Sequence, residues 1–284
     1  MTRNLKSLKG TNIPQLREAV SGTLQLGIPP RISLEKSVQI VSRTAPLDAN
    51  LVRAVQQQFQ GSDDDKLVEW RLPNNTPSMM SRQSFKTLKD VTWLNDEVVN
   101  SYADLLNMEY YYNNPSPKKS YVTSSALLAK LENRPEDYDH VVRKWCKEID
   151  FFNLDKLVFL YNIENRHWAL VYANIPQKRI EYIDSIGTPW SASVGKVYKF
   201  LNDVHETRLN KGVLEGWMYY CYADTTPQQS DGYNCGVFTI AATDYILSEL
   251  PLHAFEDTDM LNFRNKIGHC LLQNGASILT LSGV

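Results

Sequence analysis

The hydrophobic period changes in the middle of the chain. Residues 156–163, 168–174 and 179–184 are runs rich in β-branched and aromatic residues, separated by short polar turns. The segments on either side instead carry apolar residues at three- and four-residue spacing. On the N-terminal side, Leu51, Val52, Val55 and Phe59 have helical spacing, and Asn95-Asp96 caps a helix over 97–106. Further helices are expected over 124–132 and 138–148. On the C-terminal side the pattern predicts a helix near 194–201, a fourth strand over 216–222, a buried helix from Cys235 to about Leu250, and a last helix over 260–272. Three adjacent strands bracketed by helices make one α+β domain, expected over 48–284. Residues 1–47 hold Gly10, Gly22, Gly27 and Pro29-Pro30 and are read as an N-terminal extension, a leader or a partner-binding arm with a short helix over 14–20.

Composition excludes several classes. The chain has 284 residues, 30 Lys+Arg against 32 Asp+Glu, and a net charge of -2, which does not suit a nucleic-acid partner. Four cysteines with no C-x-x-C pair give neither a disulfide scaffold nor a zinc ribbon, and point to reduced thiols in an intracellular compartment. No run of 18 apolar residues is present, so no membrane span is expected, and the start of the chain lacks the apolar stretch of a standard secretory signal.

Three chemically able residues sit at element boundaries. His167 opens a strand after the turn Glu164-Asn165-Arg166, and Asp184 closes the next strand before Ser185-Ile186-Gly187. If these strands pair as a hairpin, imidazole and carboxylate share one sheet edge. Cys235 follows the polar loop Gln228 to Asn234 and opens an apolar helix, where a thiol meets the positive end of the helix dipole. A free thiol is only about 3% thiolate at pH 7. An adjacent imidazolium activates it, a carboxylate orients the imidazole, and N–H donors hold the developing oxyanion. The Cys235 backbone and the Gln229 side chain are the candidate donors. Singly, each residue has a plainer reading: a packed strand histidine, a turn-forming aspartate, a small buried cysteine.

Together these residues resemble the ubiquitin-like-protein-specific (SUMO/sentrin-specific) cysteine proteases, of the adenain-like, papain-related group. The resemblance rests on Trp93-Leu94-Asn95-Asp96, His167-Trp168-Ala169-Leu170, Tyr182-Ile183-Asp184-Ser185, and Pro227-Gln228-Gln229 with Asn234-Cys235-Gly236. The His167–Asp184 spacing of 17 residues and the Gln229–Cys235 spacing of six are those usual in the family. It implies a papain-like α+β fold, a central mixed sheet flanked by helices, with the nucleophile at a helix N-terminus. It further implies Cys235 as nucleophile, His167 as base and acid, Asp184 as orienting carboxylate and Gln229 as oxyanion donor. Trp168 and Trp93 would flank the substrate's Gly-Gly tail, leaving a slot in which any Cβ clashes. Core packing is the plainer reading of Trp93.

The implied activity is cleavage after the C-terminal Gly-Gly of a ubiquitin-like modifier, SUMO first, in precursors or conjugates. The implied mechanism uses no metal and no cofactor, and the enzyme is expected to act as a monomer. The same chemistry on ubiquitin or a neddylation-type modifier, acyl transfer by a similar Cys/His/acid set, and a non-catalytic modifier-binding module remain as alternatives. The compartment expected is the nucleus or cytoplasm of a eukaryotic cell, or a host cell if the protein is a delivered bacterial effector. The remaining cysteines (Cys146, Cys221, Cys270) and His140, His205 and His253 have no partner motif and are read as structural.

Overall fold

The computed structural model describes residues 17–18, 33–133, 135–187, 192–221, 226–273 and 281. The expected helix over 14–20 lies outside them except for Arg17–Glu18, which form a two-residue strand, β1.

The period-2 segment becomes three antiparallel neighbours: β5 (Lys156–Ile163), β6 (His167–Asn174) and β7 (Arg179–Ile183). The chain adds β4 (Ser120–Thr123) parallel to β5, and β8 (Met218–Cys221) parallel to β7, with β1 parallel to β8 outside it. The sheet order is β1-β8-β7-β6-β5-β4, so parallel and antiparallel pairs coexist. A separate hairpin joins β2 (Lys66–Arg71) and β3 (Pro77–Ser81).

Alternate residues of the central strands feed two cores, as a pleated strand requires. Val158, Leu160, Trp168 and Leu170 pack with α4 (Asp96–Asn107), α8 (Cys235–Leu247) and α9 (Met260–Gln273). Leu157, Phe159, Ala169 and Val171 pack on the other face with α5 (Ala126–Asn133), α6 (Tyr138–Lys144) and α7 (Ser193–Leu209). A sheet covered on both faces explains why β5 reads as a nearly continuous apolar run. Every residue of α8 is buried, as expected of a helix that is apolar on nearly all sides, with Thr239, Thr243 and Asp244 as its buried polar members.

The remaining helices lie before the sheet. They are α1 (Leu34–Thr44), α2 (Ala49–Gln57) and the single turn α3 (Arg82–Phe85). Asp48 caps α2 and Asn95 caps α4, each through its side-chain oxygen. Helix α1 falls within the stretch read as an extension, yet it sends a buried side chain into the domain. Arg43 Nε donates to Asp244 Oδ1 on α8 at 2.8 Å. Lys266 Nζ of α9 donates to the carbonyls of Ser42 and Arg43 at 2.6 and 3.1 Å.

Candidate active site

The β5–β6 turn places the histidine. Glu164 and Asn165 both have positive φ (52° and 56°), and the Arg166 N–H closes the turn on the Ile163 carbonyl at 2.9 Å. Two left-handed residues give a turn whose twist matches the strands, so β6 begins in register at His167. In the β6–β7 ladder Leu170 pairs with Ile183, which carries Asp184 back toward His167. His167 Nε2 and Asp184 Oδ1 are 2.8 Å apart.

Asp184 is fully enclosed and heavily bonded. Its Oδ1 also accepts from the Ile186 N–H at 2.9 Å, and its Oδ2 accepts from the Tyr182 hydroxyl at 2.6 Å. Burial raises a carboxylate's pKa, but these bonds and the His167 charge outweigh it and hold Asp184 below the ordinary value. His167 feels the reverse. Burial lowers its pKa, and hydrogen bonds to Asp184 and Cys235 together with their charges overcome that, raising it to about 9. At neutral pH the imidazole is therefore protonated between two acceptors.

Cys235 is the first residue of α8 and is buried, with a free thiol. The preceding cap residue, Asn234, makes no side-chain bond to the first helical turn. Its amide is used elsewhere: Nδ2 donates to Asp231 Oδ2 at 2.6 Å, and Oδ1 accepts from Arg264 Nε at 2.9 Å. No side-chain cap therefore competes for the first-turn N–H groups of α8, whose partial positive charge falls on the sulfur and on any anion beside it. Gly236 is required by packing. A Cβ there would lie 2.9 Å from Leu94 Cβ and 3.2 Å from Trp168 Cδ1.

Gln229 is fixed by three bonds. Its N–H donates to the Ser185 carbonyl at 2.8 Å, its Oε1 accepts from Ser185 Oγ at 2.7 Å, and its Nε2 donates to the Asp231 carbonyl at 2.7 Å. One amide proton of Nε2 is left over.

The two tryptophans differ. Trp168 is 3% exposed and donates from Nε1 to the Leu94 carbonyl at 2.9 Å. Trp93 is 51% exposed and donates from Nε1 to the Gly232 carbonyl at 2.6 Å, which ties it to the loop before Cys235. Both line a cleft of about 640 Å³ that reaches Cys235 and is completed by Asp96, Ser125, Asn162 and Arg166. Trp93 is therefore an exposed lip and not a core residue, and Trp168 is a buried wall.

The structure thus brings Trp93, Trp168 and Cys235 to one cleft and sets His167 between Cys235 and Asp184, with Gln229 on the adjoining loop. A model of the Ulp1 protease family's C-terminal catalytic domain matches residues 92–272, a stretch that holds all six. The chain belongs to the Ulp1 protease family. Sentrin-specific protease 2 of Rattus norvegicus is 28% identical over 270 residues, covering 89% of this chain and 44% of that protein. Ubiquitin-like-specific protease 1A of Arabidopsis thaliana is 27% identical over 247 residues, covering 84% of this chain and 48% of the relative. The chain thus spans less than half the length of these curated relatives. Among solved structures, the C-terminal Ulp1 protease domain in complex with SMT3, the yeast ortholog of SUMO, superposes with a TM-score of 0.67 at 23% identity, covering 82% of this chain and 99% of that one. The catalytic domain of the Chaetomium thermophilum Ulp1-like SUMO protease gives 0.64 at 20% identity, covering 82% and 92%. These structures share the fold.

Two participants escape a reading of the sequence. Tyr182 precedes Asp184 by two residues and so shares its strand face, a signal that was available. Arg264 gives no local signal, because its partners lie on distant loops.

Proposed function

We propose that the chain is a thiol isopeptidase and processing protease that cleaves after the terminal Gly-Gly of a ubiquitin-like modifier, SUMO first among them. The observation that carries this reading is His167 set between Asp184 and Cys235, with Cys235 lining a cleft flanked by Trp93 and Trp168. The names of the relatives, sentrin-specific and ubiquitin-like-specific proteases, favour SUMO as the modifier.

In the proposed reaction the Cys235 thiolate attacks the carbonyl carbon of the last modifier glycine, and the carbonyl oxygen becomes an oxyanion. The Cys235 N–H and the spare Nε2 proton of Gln229 are its donors. His167 passes its proton to the leaving amine as the C–N bond breaks, leaving a thioester on Cys235. Water then attacks the thioester and gives a proton to His167, and the modifier leaves with a free carboxylate. Asp184 keeps the imidazole aligned and compensates its charge. The lip and wall leave room for a chain without Cβ atoms, which accounts for the demand for glycine. We further propose that the catalytic domain begins before residue 48 and includes α1, that it acts as a monomer, and that it works inside a cell, where thiols stay reduced.

The test is hydrolysis of SUMO, ubiquitin and neddylation-modifier C-terminal fusions by the wild type and by Cys235→Ala. Cleavage of the SUMO fusion that disappears in Cys235→Ala supports the proposal. Cleavage of ubiquitin alone would move the substrate, and cleavage by Cys235→Ala would refute the chemistry.

A further inference from the structure

Arg264 sits on α9, 1% exposed, and its guanidinium makes five hydrogen bonds to two loops. On the loop that ends at Trp93 it donates to the carbonyls of Thr87 (Nη1, 3.1 Å), Lys89 (Nη1, 2.9 Å) and Thr92 (Nη2, 2.7 Å). On the loop that ends at Cys235 it donates to the Tyr233 carbonyl (Nη2, 3.3 Å) and to Asn234 Oδ1 (Nε, 2.9 Å). One planar fork therefore holds the residues immediately before both the lip of the cleft and the nucleophile. A guanidinium presents its donors in a fixed geometry, so it sets the relative positions of its acceptors.

The first loop needs an external restraint. Val91 has φ of 58°, a left-handed conformation that a β-branched residue adopts only under constraint, and its side chain is exposed. The carbonyls that Arg264 grips, Lys89 and Thr92, bracket it in the chain. Strained residues persist where the surroundings over-determine them. The Trp93 Nε1 bond to Gly232 then closes the same gap at the surface.

We propose that Arg264 is a positioning residue that fixes the gap between the Trp93 lip and the Cys235 loop, and thereby sets how strictly the cleft demands glycine in the substrate tail. The inference rests on the Gly-Gly reading given under the proposed function. Loss of the fork lets the Val91 loop relax and the lip drift, while His167 and Asp184 stay beside the thiol; Arg264 is also a cation coupled to Cys235, and Arg264→Lys keeps that charge.

The test compares the wild type, Arg264→Lys, and Arg264→Lys with Val91→Gly. The readouts are kcat/KM on a SUMO–aminomethylcoumarin conjugate, the same on a conjugate with the penultimate glycine replaced by alanine, and the rate of Cys235 alkylation by iodoacetamide. Arg264→Lys keeps the cation but cannot reach all five acceptors. It is expected to lose at least tenfold in kcat/KM on the glycine substrate and to narrow the Gly-to-Ala preference at least threefold, with alkylation within twofold of wild type. Val91→Gly, which makes the left-handed conformation free of strain, restores part of the preference. A preference unchanged in Arg264→Lys, whatever the fall in stability, overturns the proposal. If Arg264→Lys does not fold, Asn234→Ala, which removes the shorter of the fork's two bonds to the nucleophile loop, must narrow the preference, and a wild-type preference in that variant is equally fatal. A wild type that hydrolyses the conjugate without preferring glycine overturns the Gly-Gly reading as well, whereas a strict wild type with a strict Arg264→Lys overturns the positioning role alone.

Discussion

Replacing Arg43 by alanine tests how α1 is held to the nucleophile helix. Arg43 is 1% exposed and Asp244 not at all, and the guanidinium contacts Asp244 Oδ1 through both Nε and Nη2 at 2.8 Å. Arg43 also donates from Nη2 to Ser248 Oγ at 2.5 Å and from Nη1 to the Gln39 carbonyl at 3.3 Å. The deletion leaves Asp244 with the Tyr102 hydroxyl at 3.2 Å and Ser248 Oγ at 3.3 Å, but without its ion pair to Arg43. Removing one partner of a buried pair costs about 3–5 kcal/mol, because the other charge stays in the interior. For a domain of this size that corresponds to a fall in Tm of roughly 6–20 °C. Replacing both residues, Arg43→Met with Asp244→Leu, removes the stranded charge and is expected to recover most of the loss. A truncation beginning at residue 48 removes Arg43 together with the carbonyl acceptors of Lys266 and Asn262, and should cost more than the single variant. The assay is the urea midpoint with the slope held constant. A single variant that costs under about 1 kcal/mol, or a double variant less stable than the single, refutes the reasoning.

His167, raised to about 9, should set the alkaline limb of kcat/KM near that value, because above it no proton is left for the leaving amine. Asp184→Asn should move this limb down toward the ordinary histidine value of about 6.5 and lower activity by roughly 10²–10⁴-fold; an unmoved limb would contradict the assignment. A raised histidine pKa also adds stability that is complete below about pH 6.5 and is lost as pH rises through about 9, and this slope should shrink in Asp184→Asn, which leaves only the Cys235 contribution. Gly236→Ala should destabilise by about 1–3 kcal/mol and disturb Trp168 fluorescence, since the new methyl meets Leu94 Cβ at 2.9 Å; a wild-type urea midpoint would count against the packing. Asp104 is raised to about 6 by burial, partly offset by the Ser78 hydroxyl. Its folded pKa thus exceeds its unfolded one, so stability falls between about pH 4 and 6. Asp104→Asn should therefore raise Tm at pH 8 and not at pH 4, and an equal change at both would refute this.

The sheet could be read because its determinants are local. The β5, β6 and β7 runs are dense in β-branched and aromatic residues, the intervening turns are short, and hairpin pairing of β6 with β7 places His167 beside Asp184. Cys235 was visible for a similar reason, as a polar loop running into a largely apolar helix. The β4 strand is four residues long and buried throughout, too short to show a period, and β2 alternates charged and apolar residues without a clean buried face. Arg43 and Arg264 could not be read at all. An arginine on a helix ordinarily implies a solvated face, and what buries these two is an acceptor 201 residues away in one case and 30 in the other. Helix α1 is also misleading in its pattern: Leu34, Val38 and Val41 are exposed while Arg43 is turned inward.

The central claim is that Cys235, activated by His167 and Asp184, is acylated by the C-terminus of a modifier. The most direct measurement is the intact mass of the protein after exposure to SUMO carrying a C-terminal electrophile, with Cys235→Ala and ubiquitin and neddylation-modifier probes in parallel. The account predicts a single covalent adduct with the SUMO probe, mapped to Cys235 and absent from Cys235→Ala. An adduct on Cys146 or Cys270, or no adduct with any probe on folded protein, would contradict it.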